Sequence, residues 1–405
     1  MSQESYLSSY KQDLLGVFGD PSLVLVSGQG SQVTDADGKT YLDLLGGIAV
    51  NALGHAHPDW VKAISEQAGT LAHISNFFTS PQQIKLAHLL LEHLGAEEGR
   101  VFFCNSGTEA NEAAYKLARR YGNLHSKGRI LALEQGFHGR TLGALSLTHK
   151  PAYRQPFEPL PAGIQHIPAT LEALQQELTD DVAALILEPI QGEAGVLPLP
   201  EGYLRLARQL TRQMGALLII DEVQTGMGRT GRWYEHSREL SGSDLPDVIT
   251  LAKGLGGGFP IGAMLTVGQE TGKILEPGMH GSTYGGNPLA TAAALSTLQI
   301  LERDQLLPAA QQLGQAFRAD IEKIPGISST RGSGLLIGIV LQQEQTASGQ
   351  PLGPAIVQEA RQAGFIINAP SPATLRLAPA LTISRQELDQ FTAAFPQILA
   401  RALAS

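Results

Sequence analysis

Two residues of this chain, Asp221 and Lys253, follow apolar runs that are typical of buried β-strands. Asp221 comes directly after residues 216–220, and Lys253 comes shortly after residues 248–249. A glycine-rich stretch at residues 254–258 follows the lysine and lets the backbone pass close to a bulky group. Such a pair suits pyridoxal phosphate (PLP) chemistry, in which the lysine forms a Schiff base and the acid pairs with the pyridinium nitrogen. A lone loop lysine is usually solvated, so this interpretation depends on the motifs that accompany it.

A Ser-Gly-Thr turn indicates a phosphate site. Ser106, Gly107 and Thr108 follow the apolar residues 101–103 and precede a helical pattern of small apolar residues. The first turn of a helix presents free N–H groups and the positive end of the helix dipole, and both favour a phosphate. Taken alone, the same residues are more often an ordinary helix N-cap.

Five further residues have side chains that could bind a cofactor or a substrate. Phe137 could stack on a cofactor ring, and Arg140 offers a planar fork for a carboxylate. Glu193 follows an apolar strand and could screen an arginine, while Thr283 could donate its hydroxyl to a phosphate. Arg376 lies inside an apolar strand, so it needs an anionic partner from a substrate or from the protein. Each residue also has an ordinary alternative as a core, loop or ion-pair residue.

Composition excludes several other classes of protein. The 405 residues carry 29 Lys+Arg and 38 Asp+Glu, a net charge of −9, which argues against nucleic acid or an anionic membrane as a partner. The single cysteine, Cys104, excludes an internal disulfide framework and favours a cytoplasmic location. No signal peptide or membrane span is expected. His55 and His57 lack partners at metal-ligand spacing, so no metal site is expected.

The order of apolar segments predicts an α/β fold in two parts. Strands alternate with helices between about residues 58 and 300, which is typical of a domain with a mostly parallel sheet. We expect a large domain at 58–300, and a smaller α/β domain formed by 1–57 together with 301–405. The predicted strands of the large domain lie at 100–103, 130–133, 183–187, 217–220 and 248–251, and its predicted helices include 107–120 and 202–213. A long helix at 288–324 is predicted to lead into the small domain.

In these segments the chain resembles the class III (ω-amino) PLP-dependent aminotransferases of fold type I, and among them the acetylornithine aminotransferases. The resemblance extends from about residue 20 to about residue 395. It rests on the segments 47–55, 103–112, 137–141, 188–193, 221–226, 250–258 and 281–288.

The resemblance implies a role in cofactor binding for nine residues. Lys253 would hold PLP and move the proton, and Asp221 would pair with the pyridine nitrogen. Thr283 would reach the phosphate of the neighbouring subunit, so a homodimer is implied. The implied cofactor-binding residues are Ser106, Gly107, Thr108, Phe137, Asp221, Val223, Gln224, Lys253 and Thr283.

The resemblance also implies a substrate site of four residues. Arg140 would bind the carboxylate remote from the reacting amine, and Arg376 would bind the α-carboxylate of glutamate or 2-oxoglutarate. Glu193 would pair with Arg376 while the amine donor is bound, and Ser282 would complete the site.

The implied reaction transfers the δ-amino group of N2-acetyl-L-ornithine to 2-oxoglutarate, as in arginine biosynthesis. Ile48 stands where enzymes of this family that use free ornithine tend to have tyrosine, which favours an acylated α-amine. The alternatives are succinylornithine, ornithine or 4-aminobutyrate as donor, a PLP mutase or racemase of the same fold, and a PLP-binding regulatory module.

Overall fold

The computed structural model describes residues 2–405, and its first part combines helices with a small sheet. The elements are α1 (Gln3–Asp13), β1 (Leu25–Gln29), β2 (Gln32–Asp35), β3 (Thr40–Asp43), α2 (Gly46–Ala49), α3 (Pro58–Thr70) and α4 (Pro81–Leu94). The turn α2 has left-handed backbone at Gly47 and at Ile48, both with φ of 66°. A β-branched residue adopts this conformation only at a cost of about 1–3 kcal/mol, so tertiary packing must hold Ile48 in place.

Strands and helices alternate through the middle of the chain. The elements are β4 (Gly99–Cys104), α5 (Gly107–His125), β5 (Arg129–Leu133), α6 (Leu142–Leu147), α7 (Pro151–Arg154), β6 (Ile164–Ile167), α8 (Leu171–Glu177), β7 (Val182–Leu187), β8 (Ile190–Gln191), β9 (Leu197–Pro198), α9 (Tyr203–Met214), β10 (Leu217–Asp221), β11 (Val248–Leu251) and β12 (Gly262–Val267).

Seven of these strands form the central sheet, in the order β4-β12-β11-β10-β7-β5-β6. The strands from β11 to β6 run parallel, whereas β12 is antiparallel to both β11 and β4. Every residue of β7 and β10 is buried, as expected for parallel strands covered by helices on both faces. The predicted α/β fold with a mostly parallel sheet is confirmed, with β12 as its antiparallel strand.

The last part of the chain forms a second, four-stranded sheet with helices around it. The elements are α10 (Pro288–Arg303), α11 (Leu306–Ile321), β13 (Ile327–Ser333), β14 (Leu336–Leu341), α12 (Leu352–Gln362), β15 (Phe365–Ile366), β16 (Asn368–Ser371), β17 (Thr374–Leu377) and α13 (Arg385–Ala404). The order β13-β14-β17-β16 is antiparallel throughout.

The N-terminal strands pair with the C-terminal part of the chain. β15 extends the small sheet β1-β2-β3 by lying parallel to β3, with Phe365 opposite Leu42. This pairing supports a small domain built from 1–57 together with 301–405 beside a large domain at 58–300, and that division stays a proposal.

The helix predicted over 288–324 is wrong as a single element. Two helices, α10 and α11, are separated by Asp304 and Gln305. Gln305 has a left-handed backbone, with φ of 51°. Pro308 explains the break, because proline lacks an N–H and is tolerated only in the first turn of a helix. The helix must therefore begin again just before it.

Helix α5 shows how the sequence positions the site. Ser106 caps its N-terminus by accepting a hydrogen bond from the Glu109 backbone N–H at 3.3 Å. Its small face packs on the sheet through Ala110, Ala113, Ala114, Leu117 and Ala118, which are all buried. The tight packing fixes the first turn of α5 beside the ends of β10 and β11. Within residues 2–405, no helix combines the length and apolarity needed to cross a bilayer.

Candidate active site

A cavity of about 390 Å³ lies where the strands β4, β10 and β11 end and the following loops begin. The crevice at the carboxyl ends of parallel strands is the usual ligand site of an open α/β sheet. The structure brings most of the predicted cofactor residues, and Arg140 of the predicted substrate residues, into it. Those that line the cavity are Ser106, Gly107, Thr108, Phe137, Arg140, Asp221, Val223, Gln224 and Lys253.

Four predicted site residues do not line this cavity. Glu193 lines an adjoining cavity of about 400 Å³ on the other side of Phe137, and Arg376 is buried against Glu193. Ser282 accepts a hydrogen bond from Asn105 Nδ2 at 3.0 Å, and Thr283 is exposed. Within one chain, therefore, Ser282 and Thr283 lie outside the space that the other predicted residues enclose.

Lys253 begins a short 3-10 helix directly after β11, with a left-handed backbone (φ 42°). Burial lowers the pKa of the Lys253 amine; the charge of Arg376 lowers it further, whereas Glu193, Glu188 and Asp221 partly oppose the shift. A lowered pKa increases the neutral, nucleophilic fraction of a lysine at neutral pH. The sequence predicts the role of Lys253, and its environment suits that role.

The Asp221 carboxylate is held by donors from three different segments. Its Oδ2 atom accepts from Asn111 Nδ2 at 2.7 Å and lies 2.8 Å from His138 Nδ1, while Oδ1 accepts from the Val223 N–H at 3.0 Å. Burial alone would lower the pKa of His138, but the hydrogen bond to Asp221 and the charges of Asp221 and Glu188 together outweigh burial and raise that pKa. The carboxylate is therefore fixed in orientation by three hydrogen-bonding groups.

Sequence reasoning missed Asn111 and His138. Both lie inside motifs that were recognised, at residues 103–112 and 137–141. The available signal was Asn111 itself, a polar residue among the small apolar residues on the buried face of α5. His138 gave no comparable signal, because its contact with Asp221 joins residues far apart in sequence.

Close packing leaves room for a flat ring and a phosphate. A side chain at Gly107 would place its Cβ 2.7 Å from Val223 Cγ1, so glycine is needed where the helix begins. Phe137 and Val223 both line the cavity, and the first turn of α5 supplies N–H groups to it. PLP needs apolar contacts for its ring, a helix N-terminus for its phosphate, a carboxylate for its pyridine nitrogen and a lysine for its aldehyde. The site supplies all four, so its residues fit this group.

Glu188 is a second buried acid at the site. Burial raises the pKa of its carboxyl to about 7, while the nearby His138 opposes that shift. Its Oε1 accepts from the Phe137 N–H at 2.9 Å, and its Oε2 accepts from the Gly192 N–H at 3.4 Å. Glu188 therefore joins the loop of Phe137 to the loop of Glu193, a function that the sequence did not indicate.

Arg376 and Glu193 form an ion pair, with Nη1 and Oε1 2.5 Å apart. Arg376 is 1% exposed and also donates to Asn368 Oδ1 at 3.1 Å and Gln224 Oε1 at 3.2 Å, whereas Glu193 is 36% exposed. Burial would raise the pKa of Glu193, but the charge and hydrogen bond of Arg376 outweigh it and hold that pKa below its ordinary value. The arginine is therefore fixed, and the glutamate is the partner that can move.

Metal ligands do not converge anywhere in residues 2–405, since no group of three His, Cys, Asp or Glu side chains could hold an ion. His55 instead pairs with Asp43, with Nε2 and Oδ2 2.9 Å apart.

Comparison with known proteins identifies the family. Residues 18–399 match the family described as "Aminotransferase class-III". An acetylornithine aminotransferase of Mycolicibacterium smegmatis is 48% identical over 395 residues, covering 97% of each chain. One from Streptomyces coelicolor is 46% identical over 405 residues, covering 99% of this chain and 97% of the relative.

Solved structures show the same architecture. The N-acetylornithine aminotransferase of Stenotrophomonas maltophilia K279a superposes with a TM-score of 0.81 at 35% identity, covering 98% of both chains. An ornithine aminotransferase of Toxoplasma gondii ME49 gives a TM-score of 0.91 at 30% identity, covering 99% of this chain and 96% of that one. The predictions of the PLP-dependent fold, of an aminotransferase activity and of PLP as cofactor are confirmed. This chain belongs to the class III aminotransferases.

Proposed function

We propose that this aminotransferase moves the δ-amino group of N2-acetyl-L-ornithine to 2-oxoglutarate, giving N-acetylglutamate 5-semialdehyde and glutamate. The observation that carries the proposal is the pairing of Arg376 with Glu193, beside an Arg140 that has no carboxylate partner within residues 2–405. Arg140 is thus available to bind a substrate carboxylate, whereas Arg376 is neutralised by Glu193. This arrangement matches an amino donor that has one carboxylate. The names of relatives at 46–49% identity support the same donor.

The proposed chemistry divides between the cofactor and the chain. PLP, when bound, withdraws electrons from the carbon that loses its proton next to the transferred amine. Lys253 Nζ takes up that proton and returns it, because a lowered pKa increases the fraction of the amine that is free to accept a proton. Asp221 holds the pyridine nitrogen protonated, and the backbone of Gly107 and Thr108 binds the phosphate.

Substrate charge determines the position of Glu193 in this proposal. Acetylornithine brings one carboxylate, which Arg140 binds, so Glu193 stays on Arg376. 2-Oxoglutarate brings two carboxylates, so Glu193 must leave Arg376 to admit the second one. The half-exposed Glu193 has space to move, while Asn368 and Gln224 keep Arg376 in place. One site can thus accept two differently charged molecules.

The proposal includes a place in arginine biosynthesis and a cytoplasmic location. The names of the relatives support the first, and the single cysteine of the chain supports the second.

Succinylornithine, ornithine and 4-aminobutyrate remain the alternative donors. Ile48 does not line the cavity, although Val50, two residues later, does.

A donor panel tests the proposal directly. We expect the PLP-loaded enzyme, with 2-oxoglutarate, to use N2-acetyl-L-ornithine with a higher kcat/KM than ornithine, succinylornithine or 4-aminobutyrate. Glutamate formation measures each rate. A higher kcat/KM for any other donor would replace acetylornithine in the proposal.

We also expect a homodimer, since Thr283 would serve the site of a second chain. Phe77, Phe78 and Tyr284 are 93%, 71% and 61% exposed. Asn76 Nδ2 donates to the carbonyl oxygens of Ser282 and Gly285, which ties the segment of Phe77 and Phe78 to the loop of Thr283 and Tyr284. An exposed apolar patch of this kind marks a protein contact.

Phe78→Asp tests this assembly. We expect the variant to dissociate at protein concentrations where the wild type sediments as a dimer, and to lose activity as it dissociates. Leu124→Asp, which changes an exposed leucine in the last turn of α5, is the matched control and should leave the dimer intact. A fully active wild-type monomer would rule the homodimer out.

A further inference from the structure

Two cations share one aromatic ring beside the active site. The Arg140 guanidinium carbon lies 3.7 Å from the centre of the Tyr153 ring, and Lys150 Nζ lies 4.8 Å from the same centre. Phe137 packs edge-on against Tyr153, with ring centres 6.4 Å apart. Among residues 2–405, no carboxylate lies within 4.0 Å of either cation. The ring therefore holds two unneutralised positive charges close together.

These residues connect the two cavities of the site. Arg140 lines the cavity of Lys253, whereas Lys150 and Tyr153 line the adjoining cavity of about 400 Å³. Glu193 is the one acidic residue among the described residues that line the adjoining cavity, and its charge is engaged by Arg376. A substrate group that extends from Arg140 toward the adjoining cavity therefore lies close to two positive charges.

The positive charges of Arg140 and Lys150 affect the binding of the possible donors differently. If Arg140 binds the α-carboxylate, the α-substituent lies one carbon away, on the side of the paired cations. Ornithine carries an ammonium there, acetylornithine carries a neutral amide, and 5-aminopentanoate carries only hydrogen. An ammonium and Lys150 repel each other. At separations of about 6–8 Å near a protein surface, and with the screening by salt at physiological ionic strength, the effect on binding is about three- to tenfold.

We propose that Lys150, held with Arg140 on the Tyr153 ring, is a specificity-determining residue that disfavours donors with a free α-ammonium and so selects acylated donors. The inference rests on the proposed function and adds the side chain that excludes ornithine. The effect of Lys150 on the carboxylate is the same for all three donors, so only its effect on the α-substituent distinguishes them.

Three donors and three variants test the inference. We would measure kcat/KM for ornithine and for N2-acetyl-L-ornithine, each divided by kcat/KM for 5-aminopentanoate, so that effects on the shared carboxylate and δ-amine cancel. The variants are Lys150→Gln, Lys150→Glu and the control Lys323→Gln, which removes the same charge from an exposed lysine after α11. Lys150 is itself exposed, so these changes leave the core untouched.

Lys150→Gln should raise the ornithine ratio about three- to tenfold, and Lys150→Glu should raise it further. The acetylornithine ratio should stay within about twofold in all three variants, because the amide is uncharged. High ionic strength should raise the ornithine ratio of the wild type and have less effect on Lys150→Gln.

An unchanged ornithine ratio in both Lys150 variants would overturn the inference. An equal rise in Lys323→Gln would also overturn it, because the effect would then follow net charge. Failure of the proposed function looks different, since the wild-type enzyme itself would then prefer a donor other than acetylornithine.

Discussion

Replacing Lys253 with alanine should abolish amino transfer while the protein stays folded. The change removes the group that holds the cofactor and the base that moves the proton, and a positioned acid–base group alone contributes about 10²–10⁴ in rate. Because Lys253 lies after β11 and not in the packed sheet, we expect the thermal unfolding midpoint to change little. Glutamate formation and an unfolding curve of the same preparation measure the two effects.

Lys273→Ala is the matched control, since it removes an exposed lysine that pairs with the exposed Glu270. It should retain wild-type activity. Wild-type rates in Lys253→Ala would show that another residue carries the proton, and the assignment of Lys253 would be wrong.

The second large effect concerns Arg376 and Glu193. Arg376→Gln should slow the half-reaction with 2-oxoglutarate most, because that substrate brings the additional carboxylate. Losing a buried, charge-assisted contact of this kind costs about 2–5 kcal/mol of transition-state binding, read as kcat/KM. A substitution that removes the guanidinium of Arg140 should instead slow both half-reactions, since both substrates place a carboxylate there. Single-turnover measurements of each half-reaction separate these results.

Glu193→Ala should act in the opposite sense to Arg376→Gln. Removing the carboxylate leaves Arg376 uncovered, so glutamate should react relatively faster and acetylornithine relatively more slowly. Glu193→Gln keeps a hydrogen-bonding oxygen without the charge, so its rates in the two half-reactions should fall between those of the wild type and those of Glu193→Ala. Equal slowing of both half-reactions in Glu193→Ala would contradict the switch and make Glu193 a structural residue of its loop.

Local patterns in the sequence were enough to locate the strand ends and the helix that carry the site. Asp221 ends β10 because an apolar run stops there, and Ser106 caps α5 because a hydroxyl residue precedes a helical pattern. Residues of this kind are predictable because the signal lies within a few positions of them. The break before α11 was also readable, from Pro308, but the apolar pattern across it concealed the signal.

The contacts that orient the site were not predictable in the same way. Asp221 depends on His138 and Asn111, and Arg376 depends on Asn368 in the neighbouring strand β16. These contacts follow from strand order and register, which one sequence does not specify residue by residue. The paired cations on Tyr153 belong to the same class, since an aromatic residue in a short helix gives no sign of what will stack on it.

The parallel pairing of β3 with β15 has a consequence for synthesis on the ribosome. β3 leaves the ribosome near the start of translation, but its partner strand emerges only after almost the whole chain has been made. At usual rates of synthesis this delay is roughly tens of seconds, during which the edge of β3 has no partner strand. The central sheet is complete earlier, at Val267. The segment that includes β3 should therefore stay sensitive to protease on stalled chains that end before Phe365, while the central sheet is already protected.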